Sequence, residues 1–204
     1  MSVLIVDYGM SNLGSVKRAF EECGADVFVS DDPADHERAS HIVLPGVGAF
    51  ADGMTALNAS GWASVLRDVG LNASLPVLGI CLGMHLLADV GFEGGMTAGL
   101  GLIPGEVVRL EADCEMTRIP HVGWNELQHD GANPLLLKIP SGADFYFVHS
   151  YHFVVRDAVS AVATTPYCGD FVSVVSQGHI YGTQFHPEKS SRYGFQLIRN
   201  FLSL

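Results

Sequence analysis

Pro76-Val77-Leu78-Gly79-Ile80-Cys81-Leu82-Gly83-Met84-His85-Leu86-Leu87 holds two structures and the joint between them. Residues 76–80 form a short unbroken apolar run, as expected of a strand buried on both faces, and the residues from Leu82 through His85, Leu86 and Leu87 read as a helix. At the joint stands Cys81, with a glycine two positions away on either side. Small residues there permit a tight strand-to-helix turn that projects the sulfur outward and leaves backbone N–H groups beside it. A helix start also favours a thiolate, whose reference pKa of about 8.5 otherwise leaves it mostly protonated at neutral pH. The pattern is a nucleophile elbow built on cysteine.

Working outward, Ser2–Val6 reads as a strand, 7–11 as a loop and 12–23 as a helix with Leu13, Val16, Phe20 and Cys23 on one face. Gly24 caps that helix, and 26–29 is the next strand. Residues 41–44 form a third strand ending at Pro45, and Trp62, Val65, Leu66 and Val69 give another helix its apolar stripe. Continuous apolar strands alternating with amphipathic helices predict an α/β fold: a doubly wound, flavodoxin-like sheet covered by helices on both faces, with sites gathered where strands end. After about residue 105 the pattern changes. Strands at 106–110, 145–149, 159–163, 171–175 and 179–185 predict an antiparallel extension of the sheet, closed by the helix Ser191–Leu202 with Phe195, Ile198 and Leu202 facing inward. The polar run 30–40 reads as a turn plus a solvated helix, which leaves residues 1–204 as one domain.

A net charge of −11 with no basic cluster argues against nucleic acid, whose phosphates such a surface repels. The N-terminal apolar run is too short for a signal peptide, and no window approaches an 18-residue apolar span, so a soluble cytoplasmic protein is expected. Four cysteines without a C-x-x-C pair suit reduced thiols: Cys23 packed on its helix, Cys114 and Cys168 packed or in loops. Of nine histidines only His149 and His152 are closely spaced, which argues against a metal site, and no cofactor is implied. His149 is assigned to a strand supporting the pocket and His121 to a turn at 120–124.

Two further elements lie just past strands. His186-Pro187-Glu188 follows the apolar run 180–185, and residues two apart in extended chain point to one side, so imidazole and carboxylate can be neighbours. His186 is then the general base for Cys81, with Glu188 fixing its tautomer. Leu44-Pro45-Gly46-Val47-Gly48 supplies the other. Its glycines allow peptide flips, and the Val47 and Leu82 N–H groups can stabilise an oxyanion, each donor being worth about 2.7–4 kcal/mol in the barrier.

The elbow at 79–83, the loop at 45–48 and the ending Phe185-His186-Pro187-Glu188 resemble the class I (triad) glutamine amidotransferases. Asp7-Tyr8-Gly9-Met10-Ser11-Asn12-Leu13, Pro120-His121-Val122-Gly123-Trp124-Asn125 and Tyr146-Phe147-Val148-His149-Ser150-Tyr151 narrow the resemblance to the glutaminase subunits of imidazole glycerol phosphate synthase, over almost the whole chain. The resemblance implies hydrolysis of glutamine through a γ-glutamyl thioester on Cys81, with ammonia passed to a (β/α)8-barrel cyclase subunit in histidine biosynthesis. By position it places Gly48, His85, Glu93, Ser150 and Tyr151 at the substrate, and Asn12, Trp124, Tyr146 and Lys189 toward the cyclase. Two residues depart from the family pattern. His85 stands where the family has a substrate-binding glutamine, which predicts weaker glutamine binding; Ser11 replaces a usual glycine and is expected to alter only the local turn. A glutaminase kept quiet without its partner further predicts that the Gly46–Val47 peptide rests with its N–H turned away from Cys81. The same chemistry feeding a paralogous amidine-forming pair, or a non-catalytic module, stays open at this level.

Overall fold

The computed structural model describes residues 1–72, 75–112 and 117–204; Cys114 lies outside them. The elements in chain order are β1 (Ser2–Val6), α1 (Leu13–Glu22), β2 (Asp26–Ser30), β3 (His41–Gly46), α2 (Phe50–Ala59), α3 (Trp62–Asn72), β4 (Val77–Cys81) and α4 (Leu82–Leu86). There follow β5 (Val90–Gly91), β6 (Thr97–Ala98), β7 (Gly105–Arg109), β8 (His121–Leu127), β9 (Ala143–His149), β10 (Tyr151–Val155), β11 (Ala161–Thr165), β12 (Phe171–Gln177), β13 (Ile180–Thr183) and α5 (Ser191–Leu202).

The main sheet runs β2-β1-β3-β4-β13-β12-β10-β7-β5-β6, with β11 paired to β12. Its first five strands are parallel. Successive side chains of a strand go to opposite faces, and the sequence fills both. Val3 and Ile5 of β1 join Val43, Ile80, α1 and α5 in one core, while Leu4 and Val6 join Leu44, Val77, α2, α3 and α4 in the other. The continuous apolar runs therefore reflect burial on two sides, as expected. No helix among the described residues is long and apolar enough to cross a membrane.

The structure corrects several readings. Strand β3 continues through Pro45 and Gly46, paired with Ile80 and Cys81. Ile42 N–H bonds toward β4, so Pro45, of opposite parity, turns its missing donor toward β1, whose pairing has already ended at Val43. The 120–124 segment is the start of strand β8 rather than a turn, and β8 pairs with β9 as a separate two-stranded ribbon instead of extending the main sheet. Helix α2 stands between β3 and α3, where no helix was expected. Residues 159–160 belong to a short 3-10 turn, Ala158–Ser160, ahead of β11. The 30–40 segment forms a 3-10 helix, Pro33–Arg38, begun by the Asp32 carboxylate accepting from Ala34 N–H.

In open parallel sheets ligands bind beyond the carboxyl ends of the strands, where strand order reverses. Here the reversal lies between β1 and β3. The loop after β1 and the loop after β3 meet there, joined by the Val47 N–H donating to the Met10 carbonyl at 2.8 Å.

Candidate active site

Cys81 ends β4 and caps α4 with φ 54° and ψ −110°, a conformation that a non-glycine residue adopts only when its surroundings hold it there. The flanking glycines are required by crowding. A Cβ on Gly83 would collide with the Leu44 carbonyl, and one on Gly79 would sit 2.6 Å from the Gly83 oxygen. Strand β3 thus packs directly on the elbow and brings its own loop to the same edge. The thiol contacts the Val148 carbonyl at 3.9 Å.

His186 follows β13, the strand hydrogen-bonded beside β4. Its Nδ1 donates to Glu188 Oε1 at 2.9 Å, with both side chains almost wholly buried. The pair does not lie in extended chain, as the sequence suggested: His186 is extended, but Pro187 opens a 3-10 turn, Pro187–Lys189, that carries Glu188 back to the ring. Ser190, unremarked in the sequence, holds this turn by donating to the His186 carbonyl at 2.6 Å and accepting from Tyr146 N–H at 3.0 Å. Burial works against a charged His186, yet the neighbouring Cys81 and Glu188 outweigh it and lift its pKa to about 9. Its Nε2 has no hydrogen-bond partner among the described residues. With Nδ1 committed to Glu188, Nε2 is the nitrogen left for a proton from sulfur.

A cavity of about 300 Å³ opens over the thiol. Cys81, His186, Val47, Leu82, Gly48, His85, Glu93, Ser150 and Tyr151 all line it, together with Val148 and His149. The structure therefore gathers the candidate nucleophile, base, oxyanion residues and substrate residues around one space, with Glu188 behind the base. Leu82 opens α4, where a first-turn N–H has no partner within the helix. The Val47 N–H is occupied by Met10. Glu93 Oε2 accepts from Phe50 N–H at 2.8 Å and so caps α2, whose N-cap residue is Ala49.

His85 is buried, and its Nε2 lies 2.7 Å from Gln184 Oε1. Burial lowers its pKa to about 4, against the pull of Gln184, so the ring is neutral with its proton on Nε2. His149, on the cavity wall, and His121 behind it form a directed chain. His149 Nδ1 donates to the Tyr151 carbonyl at 2.8 Å, which leaves His149 Nε2 to accept from His121 Nδ1 at 3.0 Å, and His121 Nε2 to accept from Asn125 at 3.2 Å. Burial lowers His149 to about 3 and His121 to about 4. His121 also stacks on Tyr167 at 4.0 Å. Single-sequence reading had no signal for this chain, because its members are brought together only by the β8–β9 register, His121 opposite His149.

The four residues assigned to a partner lie on one side of this region. Trp124 is 54% exposed and edge-on to Tyr146 at 6.1 Å, and the Lys189 ammonium lies over the Tyr146 ring at 5.8 Å. Asn12 and Lys189 line a small cleft that also contains Val47, His186 and Glu188, so this side reaches the back of the His186–Glu188 pair. Among the other thiols, Cys23 contacts the Phe195 carbonyl at 3.5 Å and Cys168 sits in a bend; neither is in a disulfide.

A family model described as "Glutamine amidotransferase class-I" matches residues 4–203. The chain is 46% identical over 199 residues to the "Imidazole glycerol phosphate synthase subunit HisH" of Moorella thermoacetica, covering 98% of this chain and 93% of that one. To the HisH subunit of Chromobacterium violaceum it is 44% identical over 210 residues, covering 100% and 98%. Among solved structures, one described as a glutamine amidotransferase superposes with a TM-score of 0.77 at 20% identity, over 98% of this chain and 97% of that one. PurLQS from Thermotoga maritima gives 0.76 at 19%, over 99% and 97%. Identities that low speak for the fold alone, whereas the curated relatives match along nearly their full length. The chain belongs to the class I glutamine amidotransferases, within the HisH family of imidazole glycerol phosphate synthase subunits.

Proposed function

We propose that this chain hydrolyses glutamine to glutamate and ammonia on Cys81 and passes the ammonia to a (β/α)8-barrel cyclase subunit, which uses it to make imidazole glycerol phosphate in histidine biosynthesis. The observation that carries the chemistry is Cys81 on its strained elbow, in one cavity with a histidine whose far nitrogen is fixed by a buried glutamate. His186 Nε2 takes the thiol proton, and the sulfur attacks the side-chain carbonyl carbon of glutamine. The oxygen so charged is held by the Leu82 N–H and, once its peptide has turned over, by that of Val47. His186 returns the proton to the leaving nitrogen, which departs as ammonia and leaves a thioester. Water, deprotonated by the same nitrogen, then releases glutamate and the free thiol.

Glu93 suits the substrate ammonium, and Gly48, His85, Ser150 and Tyr151 complete the pocket wall. The relatives are named as subunits, which supports a partner. Its docking face is the side bearing Asn12, Trp124, Tyr146 and Lys189. Holding the Val47 N–H on Met10 keeps the oxyanion site incomplete and glutaminase activity low until the partner is loaded.

Glutamate release, measured for the chain alone, with cyclase, and with cyclase plus its ribotide ligand, tests this directly. The expected result is low activity alone, strong stimulation by the liganded cyclase, and loss with Cys81→Ala. Equal turnover with and without liganded cyclase would remove the gating; stimulation only by a different barrel partner would reassign the acceptor.

A further inference from the structure

Two hydroxyls in the loop after β1, Tyr8 Oη and Ser11 Oγ, are buried and have no hydrogen-bond partner among the described residues. Tyr8 is 6% exposed and stands in the apolar core with Leu44, Phe50 and Leu82. Its hydroxyl presses against Gly46, where any Cβ would collide with it; that same Cβ would lie 2.9 Å from Leu82 Cβ and 3.0 Å from Gly83 N. The phenol is thus wedged between the oxyanion loop and the elbow. Burial first, and then the charge of Cys81, push its pKa upward, so it stays a protonated donor. A hydroxyl in such a place without a partner is costly, and phenylalanine would fill the same space without that cost.

Counting donors and acceptors across the crevice gives the hydroxyls a use. With the loop as it stands, the Met10 carbonyl accepts from Val47 N–H. Turning the Gly46–Val47 peptide over removes that donor and swings the Gly46 carbonyl to the side the N–H has left. Two backbone acceptors then need donors, and the facing loop offers two unpaired hydroxyls. We propose that Tyr8, assisted by Ser11, is a positioning residue for the oxyanion loop, its hydroxyl unpartnered in the resting state and donating to the Gly46 carbonyl once the peptide has turned. Ser11 then supplies the Met10 carbonyl. The inference rests on the glutaminase reading above and adds to it what holds the loop in its working state.

Tyr8→Phe and Ser11→Ala test it in the complex with liganded cyclase. For Tyr8→Phe, kcat for glutamate release is expected to fall about tenfold with KM within about twofold, because the hydroxyl serves the oxyanion donor and not ground-state binding. Thermal unfolding of the free chain is expected at an unchanged or higher temperature, because a buried unpartnered group has been removed. Ser11→Ala is expected to give a smaller fall in kcat, also without loss of stability. An unchanged kcat for Tyr8→Phe beside an active wild type overturns the inference and leaves the glutaminase reading standing. A lowered unfolding temperature for that variant would mean the hydroxyl is already partnered at rest, and also overturns it. An inactive wild type whose Cys81 resists a glutamine-analogue electrophile overturns both.

Discussion

His85 shows how one ring changes what a pocket can offer. Its Nε2 proton is taken by Gln184, so a neutral imidazole has only Nδ1, an acceptor, left for substrate. A side-chain amide at this position would present both a donor and an acceptor. His85→Gln is therefore expected to lower KM for glutamine several-fold with little change in kcat, as seen in steady-state glutamate release; an unchanged KM would mean the ring costs nothing in binding. Reading position 85 as an exception was possible from the sequence. Its attachment to Gln184, ninety-nine positions away, was not, because the two meet only through the pairing of β4 with β13.

The elements differ in how much of them a single sequence discloses. Strands β1, β3 and β4 and helices α1, α3 and α5 were legible because each is either an unbroken apolar run or a clean helical stripe. Strand β8 was not, since Pro120 precedes it, Gly123 interrupts it, and Val122 and Trp124 are more than half exposed. The elements that carry the candidate site were legible through their joints: Gly79, Gly83 and Pro187 mark places where the chain has little choice. Two glycines separate joint from filler. Gly83→Ala would drive a methyl into the Leu44 carbonyl and part α4 from β3, and is expected to cost about 3 kcal/mol in urea unfolding. Gly14, near the start of α1 and exposed with open space around it, should instead gain about 0.4–1 kcal/mol on substitution by alanine.

For the whole molecule, the buried histidines set the acid limit. His85, His121 and His149 have pKa values of about 4, 4 and 3, all below the unfolded value near 6.5. The unfolded chain therefore binds more protons than the folded one below that value. Their contribution is complete above about pH 6.5 and is lost as the pH falls toward 4, a change on the order of a few kcal/mol. His186 has the opposite sign: raised to about 9, its contribution is present below about 6.5 and fades as the pH rises through 9. Unfolding free energy against pH is thus expected to fall on both sides of a maximum near neutrality, and His121→Asn to flatten the acid limb.

The placement of β13 has a consequence for synthesis. This strand lies in the middle of the sheet, between β4 and β12, yet it is made late, and it leads directly into His186 and Glu188, which share a site with a cysteine made long before. On the ribosome, the emerging chain carries Cys81 for more than ninety residues before His186 exists, with the β4 edge unpaired until β13 inserts. The order in which residues leave the tunnel thus keeps Cys81 apart from His186 and Glu188 until the sheet is complete, and under the function proposed above an unfinished copy spends no glutamine.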